Sequence, residues 1–227
     1  ETGVAMGRRG TAAAKEAADM VLEDDDLSTI VVAISEGRAI FDNIRSFVVY
    51  LLSCNISEVL VVALAAVFRA PLPLLPLQIL FLNLVTDVFP ALALGVGEAA
   101  QDVMHRPPRP ANEAVIERRH WVAILGYGVV LTTSVLGSFA LAYAALDLGP
   151  TEAVTVSFLT LALGQLWHVL DMRRAGSRVL DNEITRNPWI WGALAICIVL
   201  LLVAIYVPPL AAILSVAPPN VSAWGLI

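Results

Sequence analysis

Five apolar runs, each long enough to cross a lipid bilayer, leave this chain few folds to choose from. The hydrocarbon core is ~30 Å thick and an α-helix rises about 1.5 Å per residue, so one crossing needs ~20 mostly apolar residues. Runs of that length lie at about 46–68, 74–96, 121–144, 152–172 and 189–207. Inside the bilayer every backbone N–H and C=O must be satisfied within the protein, which for runs of this length means helices. Composition agrees: 58% of the residues are hydrophobic and 15% charged, against roughly 45–50% and 25% in soluble domains. The predicted fold is an all-α polytopic membrane protein with the lipid bilayer as its first partner. No internal repeat is evident.

The charges then orient the helices. Five crossings put the N-terminal region, the 97–120 connection and the 173–188 connection on one side. Those three hold thirteen of the fourteen Lys and Arg residues, and Arg69 alone falls opposite. Basic residues collect in short cytoplasmic loops, so the N-terminus reads as cytoplasmic and the C-terminal "PPNVSAWGLI" as extracytoplasmic, either a short tail or the start of a sixth apolar segment. The opening "ETGVAMGRRG" is not a secretory signal, because glycines interrupt its apolar piece and arginines follow it. A net charge of −6, drawn mainly from Glu23 to Asp26, offers no basic surface for nucleic acid. Cys54 and Cys197 sit inside apolar runs without metal-ligand or disulfide spacing and read as small packing residues.

Ahead of the first crossing, "GVAMG" predicts a short strand, and the stretch from Gly10 to Phe47 reads as helical, Ala-rich near its start. Its later part, from Ser28, joins the first membrane helix with only Gly37 as a weak point. The expected organisation is residues 1–27 as a small soluble α/β piece, 28–45 as a cytoplasmic stalk helix, and 46–227 as the membrane domain. A stalk that continues into a membrane helix acts as a lever as well as an anchor.

Within the apolar runs a few polar residues stand out. Asn55 and Glu58 are three apart on the first segment; Asn83, Thr86 and Asp87 fall at i, i+3 and i+4 on the second, so each set shares a helix face. A carboxylate at the centre of a bilayer helix costs at least ~2.5–3.5 kcal/mol, and two such residues on adjacent segments call for a function or a partner. Oxygen donors of this kind suit hard cations such as Ca²⁺, Mg²⁺ or Mn²⁺, and protonated carboxylates also serve proton relays. Pro90, just beyond Asp87, removes a backbone donor and can free carbonyls as further ligands. Gln165 on the fourth segment fits a ligand or an interhelical hydrogen bond equally, and His168 one turn later reads as structural.

These residues and their surroundings resemble a known family. "GVAMG", the long stretch "GTAAAKEAADMVLEDDDLSTIVVAISEGRAIFDNIRSFVVYLLSCNISEV", then "LPLQILFLNLVTDVFPALALG" and "DVMHRPPRPANE" resemble the C-terminal part of P-type cation-transporting ATPases of the calcium-pump-like group. The resemblance implies that residues 1–27 are the end of the phosphorylation domain and that the five crossings are the family's fifth to ninth membrane helices. It implies that Asn55, Glu58, Asn83, Thr86 and Asp87 are cation ligands, with Asp87 central. Gln165 falls where two-site calcium pumps carry a glutamate, which puts a two-calcium stoichiometry in doubt. The family's Asp-Lys-Thr-Gly-Thr and Thr-Gly-Asp-Gly-x-Asn-Asp motifs and its Pro-Glu-Gly-like loop are absent from these residues.

The resemblance therefore implies that this chain binds no cofactor by itself and does not hydrolyse ATP alone, ATP and Mg²⁺ acting elsewhere in the intact pump. Phosphorylation there would tilt the stalk, move Asn55 and Glu58 relative to Asp87, and exchange a bound cation, Ca²⁺ first among the candidates, for protons from the opposite side. The partners are then the cation and the N-terminal part of the pump, and the expected location is the plasma membrane. The proline-rich 97–120 connection either contacts the phosphorylation domain or is a solvated linker. Two other readings stay open: a stand-alone, non-enzymatic membrane protein acting as an interaction or regulatory module, and a secondary transporter, which the lack of an inverted repeat disfavours.

Overall fold

Helices account for most of the structure, a computed structural model that describes residues 2–97, 103–105, 107–108, 110, 113–173, 177–178 and 181–227. Five of them are long and apolar enough to cross a membrane: Ser28–Val67, Pro76–Gly95, Arg118–Ala145, Pro150–Leu170 and Pro188–Tyr206. These match the five predicted crossings to within a few residues, except that the first continues N-terminally to Ser28. Residues 98–102, 106, 109 and 111–112 of the 97–120 connection lie outside the described residues.

The chain divides into two compact units, residues 1–42 with 98–108, and 43–97 with 109–227. In the first, strand β1 (Val4–Met6) pairs in parallel with β2 (Met20–Leu22) around the short helix α1 (Ala12–Ala17). This corrects the helical reading of residues 10–47: the helix stops at Ala17 and resumes only at Ser28. Two forces override the Ala-rich propensity. Pairing with β1 buries Leu22 and Ala5, and the acidic run folds on itself. The Asp24 carboxylate accepts bonds from the Asp26 amide and the Thr29 hydroxyl, and the Asp26 side chain accepts from the Ser28 amide. Such local bonds compete with helix formation.

Asp25 takes a left-handed φ of 61°. Its carboxylate accepts the Arg8 amide at 2.8 Å, the Arg9 amide at 3.0 Å and Arg9 Nε at 3.0 Å. The Arg8 amide bond, first among these influences, holds the carboxyl below its ordinary value of 3.8. A group depressed on folding stabilises the fold above its unfolded value, and the gain is lost as pH falls through the folded one. The Arg8 and Arg9 amides are therefore expected to keep hydrogen-exchange protection at pH values above 3.8 and to lose it only as the pH falls through the lowered folded value. In Asp25→Ala both should be unprotected at every pH; unchanged protection in that variant would refute the role of this turn.

The second unit is helical. Its elements are α2 (Ser28–Val67), which enters from the first unit; α3 (Pro76–Leu82); a wide π-helical turn (Asn83–Asp87); α4 (Val88–Gly95); and α5 (Arg118–Ala140), which closes in a second π turn (Leu141–Ala145). Then come α6 (Pro150–Leu170), α7 (Glu183–Arg186), α8 (Pro188–Tyr206), α9 (Pro208–Leu214) and α10 (Val221–Trp224). Prolines in the first turns of α3, α6, α8 and α9 sit where an N–H has no helical partner, so they start helices without losing a bond.

Small residues set how closely the helices approach. A Cβ on Gly128 of α5 would lie 2.9 Å from Ile56 Cγ2 of α2, and one on Gly164 of α6 would lie 2.9 Å from Leu131 Cδ2 of α5. Thr132 Oγ1 bonds the Gly128 carbonyl at 2.7 Å and lies 3.3 Å from the Ser57 carbonyl. Lipid tails are as apolar as leucine, so close packing and interhelical hydrogen bonds of this sort replace the hydrophobic effect in holding helices together. The end of α4 is tied from two sides: Asn43 Nδ2 donates to the Gly97 carbonyl at 2.7 Å, and Asn187 Nδ2 to the Ala93 carbonyl at 3.1 Å. Carbonyls at a helix C-terminus have no partner of their own, so these bonds anchor the segment beyond Asp87.

Candidate cation site

The second crossing is not a continuous α-helix. Residues Asn83–Asp87 form a π turn between α3 and α4, and these are the polar residues the sequence singled out. Pro90 contributes, because it has no N–H to offer the carbonyl of Thr86 four residues back. That carbonyl instead accepts the Tyr50 hydroxyl of α2 at 2.6 Å, so the oxygen the proline frees is already taken. Beside it the Cys197 thiol of α8 donates to the Val85 carbonyl at 3.2 Å. Widened turns of this kind recur at functional positions in helices.

The side chains converge from three helices. Asn55 Nδ2 of α2 donates to Asp87 Oδ2 at 3.1 Å and to the Leu51 carbonyl at 2.8 Å. Asn83 Nδ2 lies 3.3 Å from Glu58 Oε2, and Gln165 Nε2 of α6 donates to Glu58 Oε1 at 3.0 Å. Thr86 Oγ1 stands 2.6 Å from Gln165 Oε1 and 2.9 Å from the Leu82 carbonyl. All six sequence-predicted residues thus belong to two linked groups, Asn55 with Asp87, and Glu58 with Asn83, Gln165 and Thr86. Glu58, Thr86, Asp87 and Gln165 are buried, Asn83 is half-buried and Asn55 exposed.

One atom is left over. Asp87 Oδ1 is buried and has no hydrogen-bond partner. Among the described residues no Lys, Arg or His side chain pairs with Asp87 or Glu58, and no three His, Cys, Asp or Glu side chains gather in one place. The negative groups are therefore two, and every other donor is a neutral oxygen. In this arrangement three amide nitrogens face the carboxylates. A half-turn of an amide about its last side-chain bond exchanges nitrogen for oxygen and presents an acceptor instead. The same side chains can therefore satisfy the carboxylates themselves or join them around a cation.

Sequence reasoning missed Tyr50 and Cys197, which hold the π turn from outside. A tyrosine in an apolar run carries a signal, since a buried phenol needs a bond for its hydroxyl; its partner was not readable. His168 is buried between Tyr127, with ring centroids 4.1 Å apart, and Tyr50, at 5.8 Å.

Five membrane-length helices, three of which bring carboxylates, amides and a hydroxyl together, define a polytopic membrane protein with a polar site. The family model described as cation transporting ATPase, C-terminus, matches residues 71–227, and the chain belongs to that family. It is 41% identical over 227 residues to a calcium-transporting ATPase of Bacillus subtilis (strain 168). It is 35% identical over 254 residues to calcium-transporting ATPase 3, endoplasmic reticulum-type, of Arabidopsis thaliana, and 36% over 243 residues to calcium-transporting ATPase 1 of Bacillus cereus. Each match takes in 100% of this chain but only 25%, 25% and 27% of the relative, so the chain spans about a quarter of their length.

Proposed function

We propose that residues 46–227 are the cation-translocating part of an ATP-driven P-type pump and that the transported cation is Ca²⁺. Asn55, Glu58, Asn83, Thr86 and Asp87 hold the ion, and Gln165 adds an amide oxygen. The observation that carries this reading is the unpartnered, buried Oδ1 of Asp87 beside a second carboxylate, Glu58, and side-chain amides and a hydroxyl that can each present an oxygen. Ca²⁺ takes about 6–8 oxygen ligands in flexible geometry, a set that carboxylates, amides and a hydroxyl can supply, whereas softer metals prefer thiolate or imidazole. The similar proteins of Bacillus subtilis, Arabidopsis thaliana and Bacillus cereus are calcium-transporting ATPases, which supports the same ion.

In this reading residues 1–27 close the phosphorylation domain and 28–45 form the stalk that carries its movement to Asn55 and Glu58. ATP and Mg²⁺ act in other parts of the pump. The arginine distribution supports a cytoplasmic N-terminus, and the plasma membrane is the proposed location. A metal screen of phosphorylation from ATP in the full-length pump tests the ion: Ca²⁺ should support it at the lowest concentration. A lower requirement for Mn²⁺ or a monovalent ion would overturn the choice of Ca²⁺ while leaving the site assignment to the Asp87 variant described below.

A further inference from the structure

All five tryptophans of this chain stand at least 39% exposed, and four of them lie at helix ends beside the arginine-rich connections: Trp121 near the start of α5, Trp167 near the end of α6, and Trp189 and Trp191 at the start of α8. Successive crossings put these ends at one face of the bilayer. Amphipathic rings collect at the headgroup level, so the four mark where that level runs.

The start of α5 adds an unbalanced charge. Glu113 pairs with Arg45 at 2.7 Å, and Glu117 lies 3.5 Å from Arg45 and 3.1 Å from Arg119. Both carboxylates are thereby engaged. Arg118 is exposed and has no ion pair among the described residues. Three, four and seven residues on, Trp121, Val122 and Leu125 are 46%, 65% and 51% exposed. This spacing sets them on one helix face below the guanidinium. Long basic side chains at such a place extend toward the interface while their stems lie on apolar surface.

We propose that Arg118, with Trp121, Val122 and Leu125, binds an anionic phospholipid, the guanidinium meeting the headgroup phosphate and the acyl chains lying along the apolar stripe. A planar guanidinium can bond two phosphate oxygens at once. Charge complementarity selects the anionic class over the zwitterionic, whose choline or ethanolamine returns a positive charge to the same place.

The test places the full chain in phosphatidylcholine vesicles, with Trp121 as the only tryptophan and the other four changed to Phe. Brominated phosphatidylglycerol and brominated phosphatidylcholine are compared as quenchers of its fluorescence. One arginine near an anionic surface corresponds to about a fivefold preference, so phosphatidylglycerol should quench with about fivefold higher apparent affinity, and the ratio should fall to near one in Arg118→Gln and at high salt. Arg186→Gln, whose guanidinium is paired with Asp181 at 2.7 Å, should keep the preference. Equal quenching by both lipids, a preference retained in Arg118→Gln, or equal loss in both variants would overturn the proposal. Native mass spectrometry of the chain with all its tryptophans provides an independent reading: phosphatidylglycerol adducts should be depleted in Arg118→Gln, and undiminished adducts count against the site.

Discussion

Asp87→Asn in the full-length pump is expected to abolish cation-dependent phosphorylation from ATP while leaving expression largely intact. An asparagine oxygen can still accept the Asn55 amide that now reaches Asp87 Oδ2 at 3.1 Å, so the contact between α2 and the π turn survives. What disappears is the negative charge of one of the site's two carboxylates, Asp87 and Glu58. Removing one partner from a buried charge pair costs about 3–5 kcal/mol, so the cation requirement should rise by at least about 100-fold, beyond the range in which phosphorylation can be driven. Phosphoenzyme formed over a cation titration is the measurement. A wild-type titration curve in the variant would sink the assignment of Asp87.

Gly128→Leu should produce the largest structural effect. The new Cβ alone would come within 2.9 Å of Ile56 Cγ2, at a place where Ser53, Cys54 and Ser57 of α2 are fully buried. Overpacking of this kind typically costs about 1–3 kcal/mol, and here it pushes α5 away from the helix that carries Asn55 and Glu58. Thermal unfolding of the reconstituted chain should fall by roughly 5 °C, taking about 2–4 °C per kcal/mol for a chain of this size. Gly126→Leu, two residues away with nothing within 4 Å of its Cβ, should not lower the transition and controls for the gain in helix propensity, which both variants share. Adding Ile56→Ala to Gly128→Leu should recover part of the loss, as coupled neighbours do. Equal melting of the Gly126 and Gly128 variants would show that the close approach does not limit stability.

How legible was the site? Asn55 with Glu58, and Asn83 with Thr86 and Asp87, could be grouped because helix periodicity alone puts such spacings on one face. The strand at Val4–Met6 was legible from its flanking glycines, but its partner Met20–Leu22 was not. An apolar triplet after an Ala-rich run carries the same local signal in a helix as in a strand, and only pairing with β1 decides between them. Gln165 was undecided for a similar reason. Its spacing says where it sits on α6 and nothing about Glu58 and Thr86, which are 107 and 79 residues away along the chain.

Length and hydropathy were enough to specify five membrane helices, because the bilayer imposes its thickness on the chain and leaves the backbone no other way to satisfy its hydrogen bonds. The arginines predicted which connections share a side, and the rare intramembrane carboxylates marked where to look. Tertiary packing alone decided the rest: that Tyr50 takes the carbonyl Pro90 releases, that Gln165 links Glu58 to Thr86, and that Asp87 keeps one buried oxygen without a partner. The first two are contacts between helices, and the third is what those contacts leave unfilled. Residues three or four apart meet through the geometry of one helix, whereas residues a hundred apart meet only when a whole bundle has packed.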